Sequence, residues 1–265
     1  MMEQETLRVG LIGYGAIGQE VARLIAEHAS GDMMVAGALV RDLTRPRPPG
    51  PSLVTTPAEL FTTQPHVVVE VAGHQGLRAH SSAILRAGID LLLVSIGALA
   101  DPIVLQELFD AAQAGRAHIQ VVSGAIGALD ALAAAAVDGS LTRVLHTMRR
   151  SPHSLLAPEE ASRLTTVQEV FRGSARQAVL QFPEYLNVAA AVALAGNGLD
   201  QTDVLVLADP TVAHSRHEIL AEGAFGTFHF EIENAPMSIP ARGARLVAMS
   251  IVHTLRLRRT RFVIG

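Results

Sequence analysis

The first half of the chain alternates short apolar runs with longer amphipathic stretches. Five runs rich in β-branched residues and leucine predict strands, over Leu7–Ile12, Met33–Val40, His66–Val71, Asp90–Val94 and His118–Val122. Between them, apolar residues spaced three and four apart predict helices over Ala16–His28, Gly76–Ala87 and Pro102–Ala114, with a short helix near Pro57–Phe61. Alternating strands and helices indicate parallel βαβ units, so we expect an α/β Rossmann-type nucleotide-binding domain over residues 1–122.

The pattern changes near residue 123. Small-residue helices are predicted over Ala125–Val137 and Val188–Ala195, and strands over Leu141–Met148, Thr166–Arg172, Val204–Ala208, His217–Ala221 and Gly226–Ile232. The last three strands alternate as an antiparallel sheet would. We therefore expect an inserted α+β catalytic domain over residues 123–242. Gly243–Leu257 has helical periodicity, and the stretch 243–265 is expected to complete the first domain.

Composition narrows the possible chemistry. All 21 basic residues are arginines, and the chain contains no lysine, cysteine or tryptophan. These absences exclude Schiff-base lysines, pyridoxal phosphate linkage, P-loop lysines, thiolate nucleophiles and thiolate-bound metals, and we predict no metal site. Any reaction must therefore use His, Asp, Glu, Ser, Thr, Tyr or Arg, or a bound cofactor.

Charge and hydropathy also limit the partners. A formal net charge of -4 argues against general nucleic-acid binding, which needs a basic surface. No run reaches the ~18 apolar residues of a membrane span. The acidic, polar N-terminus lacks the features of a signal peptide. We expect a cytoplasmic protein with neither a nucleic-acid nor a membrane partner.

A glycine motif follows the first predicted strand and opens the first predicted helix. Gly13-Tyr14-Gly15-Ala16-Ile17-Gly18 fits the dinucleotide-binding pattern G-x-G-x-x-G. Gly13 permits a tight turn, Gly15 lets the backbone approach a pyrophosphate, and Gly18 allows close packing of helix and strand. The N–H groups at the start of the helix, including those of Ala16 and Ile17, attract phosphate. The motif predicts a bound dinucleotide.

The end of the second strand bears on which dinucleotide binds. An acidic residue usually binds the ribose hydroxyls there, but Val40 occupies that place and Arg41 follows it. The planar guanidinium of Arg41 suits a 2′-phosphate, whereas Asp42 serves the hydroxyls if the strand is one residue longer. The expected cofactor is therefore NADP or NAD, with a preference for NADP.

Three further groups of residues stand where ligands bind in such folds. Ser95, Gly97 and Ala98 follow the fourth predicted strand, where small residues would admit a nicotinamide ring. His74 follows the third strand at the carboxyl edge, where open α/β sheets bind ligands, and is a candidate to face the substrate. Asn187 opens a helix, and its amide suits either the nicotinamide carboxamide or the helix N-cap.

Several short blocks share the order and spacing of one known family. They are Gly13–Gly18, Glu70–His74, Val94–Leu99, Gly124–Leu132, Gly173–Arg176, Phe182-Pro183 with Asn187–Ala190, Ala208–Pro210 leading to His217, and Gly223–Gly226. In these blocks the chain resembles the L-aspartate dehydrogenases, a group associated with NAD biosynthesis, along nearly its whole length. No single block is decisive, but their order is specific.

The resemblance implies oxidative deamination of L-aspartate through iminosuccinate to oxaloacetate and ammonia, or the reverse reductive amination. It also implies a homodimer or larger homo-oligomer, cofactor contacts at Ala125 and Asn187, and a catalytic histidine at His217. The chemistry independently favours histidine, because adding water to an imine requires a group that transfers protons near neutral pH. With no Cys or Lys in the chain, a histidine is the natural choice for the general acid/base, and the resemblance places this role on His217.

Substrate carboxylates call for cations, and bidentate arginine suits them. Arg149 and Arg242 are the main candidates, with Arg150 and Arg245 beside them in the sequence. Arg149-Arg150-Ser151-Pro152 stands where Arg-Lys-Pro is common in the family, and Glu184 stands where Lys is common. These differences leave open a related NAD(P)-dependent amine or imine oxidoreductase with another substrate. A non-catalytic NAD(P)-binding sensor is the alternative from a different class.

Overall fold

The computed structural model describes residues 5–183, 185–235 and 245–263, and backbone contacts divide them into two compact units. The first unit comprises residues 5–124 and 247–263. The second comprises residues 125–183, 185–235 and 245–246.

The first unit contains a six-stranded parallel sheet with the strand order β3-β2-β1-β4-β5-β6. In chain order its elements are β1 (Leu7–Ile12), α1 (Ala16–His28), β2 (Met33–Leu39), β3 (Ser52–Val54), α2 (Pro57–Thr62), β4 (Val67–Glu70), α3 (Gly73–Arg86), β5 (Asp90–Leu93), α4 (Pro102–Gly115) and β6 (Ile119–Val121). This order is that of a dinucleotide-binding Rossmann fold, with a topological switch point between β1 and β4. The predicted Rossmann-type domain is confirmed.

Burial explains why the strands of this sheet are almost wholly apolar. All four residues of β4 are buried, and β1 is buried at five of its six positions, since helices cover both faces of a parallel sheet. Helix α2 is fixed by a capping box, in which Thr56 and Glu59 each accept a hydrogen bond from the other's backbone N–H. Such local signals set the helix boundaries.

The second unit is built on a five-stranded mixed sheet with the order β11-β10-β7-β9-β8. Its elements, with the C-terminal helix, are α5 (Leu129–Ala135), β7 (Leu141–Arg150), α6 (Pro158–Arg163), β8 (Gln168–Ser174), α7 (Ala175–Gln181), α8 (Asn187–Ala195), β9 (Asp203–Ala208), β10 (Ser215–Gly223), β11 (Gly226–Asn234) and α9 (Arg245–Leu257). Helices α5 and α8 supply Leu132, Val188 and Val192 to an apolar core on one face of the sheet. The predicted α+β character is confirmed.

Some predicted elements are corrected. The helix predicted over Ala125–Val137 begins only at Leu129, because Ala128 has a left-handed backbone and Gly127 lies against the ring of Phe230. Strands β7 and β9 pair in parallel, so the sheet is not purely antiparallel. The short β3 and the helices α6 and α7 were not predicted.

The C-terminal helix α9 packs mainly within the first unit. Ser250 accepts a hydrogen bond from the backbone N–H of Gly124 at 3.1 Å, and Arg256 donates to the carbonyl of His28 at 2.9 Å. Within the described ranges, the structure has no helix long and apolar enough to cross a membrane.

Candidate active site

The loop between β1 and α1 has the geometry that a dinucleotide pyrophosphate needs. Gly13 has a φ of 99°, a left-handed conformation that favours glycine. A Cβ on Gly18 would lie 2.6 Å from the carbonyl oxygen of Gly13, so only glycine allows this close packing of helix and loop. At Gly15, by contrast, no described atom lies within 4 Å of where a Cβ would stand. The open space above Gly15 is therefore available to a ligand.

The first turn of α1 is suited to an anion. Gly15 is its N-cap, no side chain of the described residues caps it, and the first turn contains no acidic residue. The backbone N–H groups of Ala16, Ile17 and Gly18 lie at this positive end of the helix dipole. These residues fit a pyrophosphate.

Glu70, a buried carboxylate, joins the loops that follow β4 and β5. It accepts hydrogen bonds from the backbone N–H groups of Ala72 at 2.8 Å and Ser95 at 3.0 Å, and from the Ser95 hydroxyl at 3.0 Å. Burial raises the pKa of Glu70, and these hydrogen bonds act in the opposite direction. Glu70 therefore positions the loops at the carboxyl edge of the sheet, a role that the sequence did not reveal.

The predicted ligand residues of this edge lie shortly after β4 and β5, and His74 falls inside α3, which begins three residues earlier than predicted. Ser95 precedes a 3-10 turn over Ile96–Ala100, in which Gly97 and Ala98 are buried. Because the Ser95 hydroxyl donates a hydrogen bond to Glu70, it helps to hold the loop after β5 in place. His74 lies in the first turn of α3 and is half-buried.

The end of β2 presents Arg41 to solvent, while the neighbouring Asp42 is engaged locally. Asp42 accepts hydrogen bonds from the backbone N–H and the hydroxyl of Thr44, at 2.8 and 2.7 Å. The Asp42 carboxylate is thus part of a turn, and the exposed guanidinium of Arg41 is the more accessible group.

His217 lies on the face of the second unit's sheet that α5 and α8 cover. It is only 4% exposed, and its Nδ1 stands 3.1 Å from Nε2 of the fully buried His146 on β7. Burial, together with the charge of Arg150, lowers the pKa of His217 to about 4. His217 is therefore neutral at physiological pH.

Strand alternation separates the two candidate arginines of β7. Arg150 has the same parity as His146 and Met148, which pairs with His217, so it projects on the same face as His217. Its guanidinium carbon lies 4.6 Å from the centre of the Tyr185 ring. Among the arginines of the described ranges, only Arg150 contributes to the pKa shift of His217.

Arg149 projects on the opposite face of the sheet. There it donates to Glu218 at 2.9 Å and lies 3.5 Å from Asp209, so two carboxylates already pair with it. The expectation that Arg149 binds substrate is thus at odds with its placement, and Arg150 takes its place as candidate. The other predicted arginine, Arg242, lies outside the described residues, as does Glu184.

Ala125 and Asn187 both belong to the second unit. The carbonyl of Ala125 accepts a hydrogen bond from the side chain of Asn234 at 2.8 Å, which anchors the segment before α5. Asn187 is the first residue of α8, whose N-cap is Leu186. The interpretation of Asn187 as the N-cap is therefore wrong, and the amide interpretation stays a prediction.

One acidic cluster on the opposite face has ligand-type atoms. The side chains of Glu218, His229 and Glu231 present oxygen or nitrogen atoms within 4.8 Å of one another. However, Arg149 pairs with Glu218, and Arg216 lies 3.2 Å from Glu231. Because arginines already neutralise both carboxylates, this cluster is a network of ion pairs.

Comparisons with known proteins agree with the two-unit geometry. Residues 130–258 match the family model described as aspartate dehydrogenase, C-terminal, and residues 13–122 match that of the homoserine dehydrogenase NAD binding domain. An L-aspartate dehydrogenase of Ruegeria pomeroyi is 43% identical over 264 residues, which cover 97% of this chain and 94% of the relative. The chain belongs to the aspartate dehydrogenase family.

Two further family members support the assignment. The L-aspartate dehydrogenase of Ralstonia pickettii is 38% identical over 258 residues, covering 94% of this chain and 96% of that protein. The crystal structure of aspartate dehydrogenase from Thermotoga maritima superimposes with a TM-score of 0.80 at 26% identity, over 98% of this chain and 100% of that one. The family resemblance and the fold predicted from the sequence are both confirmed.

Proposed function

We propose that this family member is an NAD(P)-dependent L-aspartate dehydrogenase. It oxidises L-aspartate to iminosuccinate, which water converts to oxaloacetate and ammonia, or it runs the reverse reductive amination. The observation that carries the proposal is the placement of a neutral His217 and a cationic Arg150 on one face of the second unit's sheet. The relatives named L-aspartate dehydrogenase support it, since they match nearly the whole chain.

The first unit supplies the nucleotide site. Gly13, Gly15 and Gly18 shape the loop, and the N–H groups at the start of α1 would hold the pyrophosphate. A bound nicotinamide would supply the acceptor for the hydride that leaves Cα of the amino acid. By the family resemblance, Ala125 and Asn187 would contact the cofactor. Ser95, Gly97 and Ala98 follow β5, where small residues would admit the nicotinamide ring.

NADP is the preferred cofactor in this proposal. The exposed Arg41 follows β2 and is suited to pair with a 2′-phosphate, whereas the Asp42 carboxylate is already bonded to Thr44. NAD remains acceptable if contacts to the pyrophosphate dominate binding, because the ribose hydroxyls then need no acidic residue to hold them.

His217 moves the protons, and Arg150 binds a carboxylate of the substrate. In the oxidative direction His217 gives a proton to the imine nitrogen as water adds to the carbon, and recovers one from the added water. A substrate carboxylate beside Arg150 offsets the positive charge that lowers the pKa of His217. Substrate binding would therefore weaken only this smaller contribution, while burial, the larger cause of the lowered pKa of His217, remains.

The test is to follow the absorbance of the reduced nicotinamide. We expect turnover with L-aspartate and NADP, and with oxaloacetate, ammonia and NADPH in reverse. His217→Ala should lower kcat by ~10²-fold or more without weakening cofactor binding. His229→Ala is the matched control, since His229 is an exposed residue on the neighbouring strand β11. Tight cofactor binding without aspartate turnover in either direction would refute aspartate as the substrate. It would favour either another amine or imine substrate or a role as a non-catalytic sensor.

The remaining expectations concern partners and location. The match of the second half to the aspartate dehydrogenase model, and of nearly the whole chain to L-aspartate dehydrogenases, leads us to infer an amino-acid substrate of the aspartate type. We also infer a cytoplasmic homodimer or larger homo-oligomer without nucleic-acid or membrane partners. Light scattering of the purified protein tests the oligomeric state.

A further inference from the structure

His146 contacts the proposed acid/base residue, although the two lie 71 residues apart in sequence. The register of β7 and β10 pairs Ile219 with His146 and His217 with Met148, so the two histidines are diagonal neighbours on one face. Nε2 of His146 lies 3.1 Å from Nδ1 of His217, and the ring planes differ by 12°. This geometry is that of a hydrogen bond between two imidazoles.

The direction of that hydrogen bond follows from the other nitrogen of His146. Both rings are neutral, because burial lowers the pKa of His146 well below its usual value and that of His217 to about 4. Nδ1 of His146 is buried without a hydrogen-bond partner in the part of the chain that the structure describes. If His217 donated, this nitrogen would carry a proton with no acceptor, and buried N–H groups without acceptors are rare. If His146 donates, Nδ1 is only an unused lone pair.

We propose that His146 is the positioning residue of His217: its Nε2–H donates to Nδ1 of His217, which fixes the ring and leaves the proton of neutral His217 on Nε2. Nε2 of His217 is then the atom that exchanges hydrogen bonds and protons with substrate. Arg150 is the charged group that faces this pair from β7, and the cross-strand neighbour on β11, Ile232, carries no charge.

Two variants of His146 distinguish a role in positioning His217 from a role in packing alone. This test rests on the proposed function. His146→Met fills a similar volume but cannot donate, so kcat should fall at least about tenfold while the KM for cofactor stays unchanged. His146→Gln places an amide N–H near the lost Nε2–H and should restore kcat to within about threefold of wild type. Val144→Ala, a buried change two residues away on the same face, should lower the melting temperature and leave kcat unaltered. An unchanged kcat in His146→Met, or an equal loss in both His146 variants, would overturn the proposal.

A spectroscopic test does not depend on the substrate. In ¹⁵N-labelled full-length protein, Nδ1 of His217 should show the resonance of an unprotonated nitrogen, coupled across the hydrogen bond to a protonated Nε2 of His146. His146→Met should abolish that coupling. A proton found on Nδ1 of His217 would refute the inference. Absence of aspartate turnover in wild type would instead refute the proposed function and leave the nuclear magnetic resonance result to decide the role of His146.

Discussion

Alanine substitutions at two glycines of the nucleotide loop should affect different properties: Gly15→Ala should weaken cofactor binding, whereas Gly18→Ala should lower stability. At Gly15, no described atom lies within 4 Å of an added Cβ, and the φ of -86° suits alanine. The lost N-cap preference costs about 0.5–1 kcal/mol, and the reduced entropy of the unfolded chain returns about 0.4–1 kcal/mol. Gly15→Ala should therefore leave the melting temperature within about 3 °C of wild type.

Cofactor binding should nevertheless suffer in Gly15→Ala. The added methyl group enters the space that the pyrophosphate is proposed to occupy, so we expect the Kd for NADPH to rise about tenfold to a hundredfold, or about 1.4–2.7 kcal/mol. The assay is a fluorescence titration of NADPH together with thermal unfolding of the same samples. An unchanged Kd would show that the pyrophosphate does not approach Gly15, and the argument for the nucleotide loop would fail.

Gly18 provides the contrast, and Gly31 the control. A Cβ at Gly18 would lie 2.6 Å from the Gly13 carbonyl oxygen, so the helix start must shift. Overpacking of this kind costs about 1–3 kcal/mol, which corresponds to a melting temperature lower by about 2–10 °C. Gly31 is exposed and has no described atom within 4 Å of an added Cβ, so Gly31→Ala should change neither stability nor Kd.

Three other substitutions test individual side chains. Arg41→Ala should raise the KM for NADP by about tenfold or more and that for NAD only slightly; equal losses for both cofactors would remove the phosphate contact. Arg150→Gln should raise the KM for aspartate. Since Arg150 lowers the pKa of His217, its removal should also move the acid limb of the kcat/KM profile, where neutral His217 is needed, to higher pH. Glu70→Leu should destabilise the first unit by about 2 kcal/mol or more, measured by thermal unfolding, because two backbone N–H groups lose their buried acceptor.

The nucleotide-binding half could be predicted closely because its boundaries are set by local sequence. The predicted Leu7–Ile12 strand and Ala16–His28 helix agree with the structure at both ends. The second half was less predictable, because α5 begins where tertiary contact allows it. Gly127 packs against Phe230, which lies about a hundred residues away in the chain, and the next residue, Ala128, has a left-handed backbone. No local pattern reports such a contact.

Strand alternation also decided which side chains could be placed from sequence. The alternation of a strand shows which of its residues share a face, but not which strand lies beside it. The parallel pairing of β7 with β9 and the contact of His146 with His217 could therefore not be predicted. The choice between Arg149 and Arg150 was different, because the necessary signal was present. The strand predicted over Leu141–Met148 continues to Arg150.

Extending that predicted strand by two residues shows on which face of the strand each arginine lies, and this needs no knowledge of the fold. The even-numbered residues His146, Met148 and Arg150 share one face, so Arg149 falls on the other face with Leu145 and Thr147. If His217 is the catalytic residue, as proposed, the β7–β10 register leaves only Arg150 of the two on its face of the sheet. The guanidinium of Arg150 is planar and presents paired N–H donors, whereas an ammonium group is a point charge. A bidentate contact to a substrate carboxylate then becomes possible, and Arg150→Lys should weaken aspartate binding less than Arg150→Gln does.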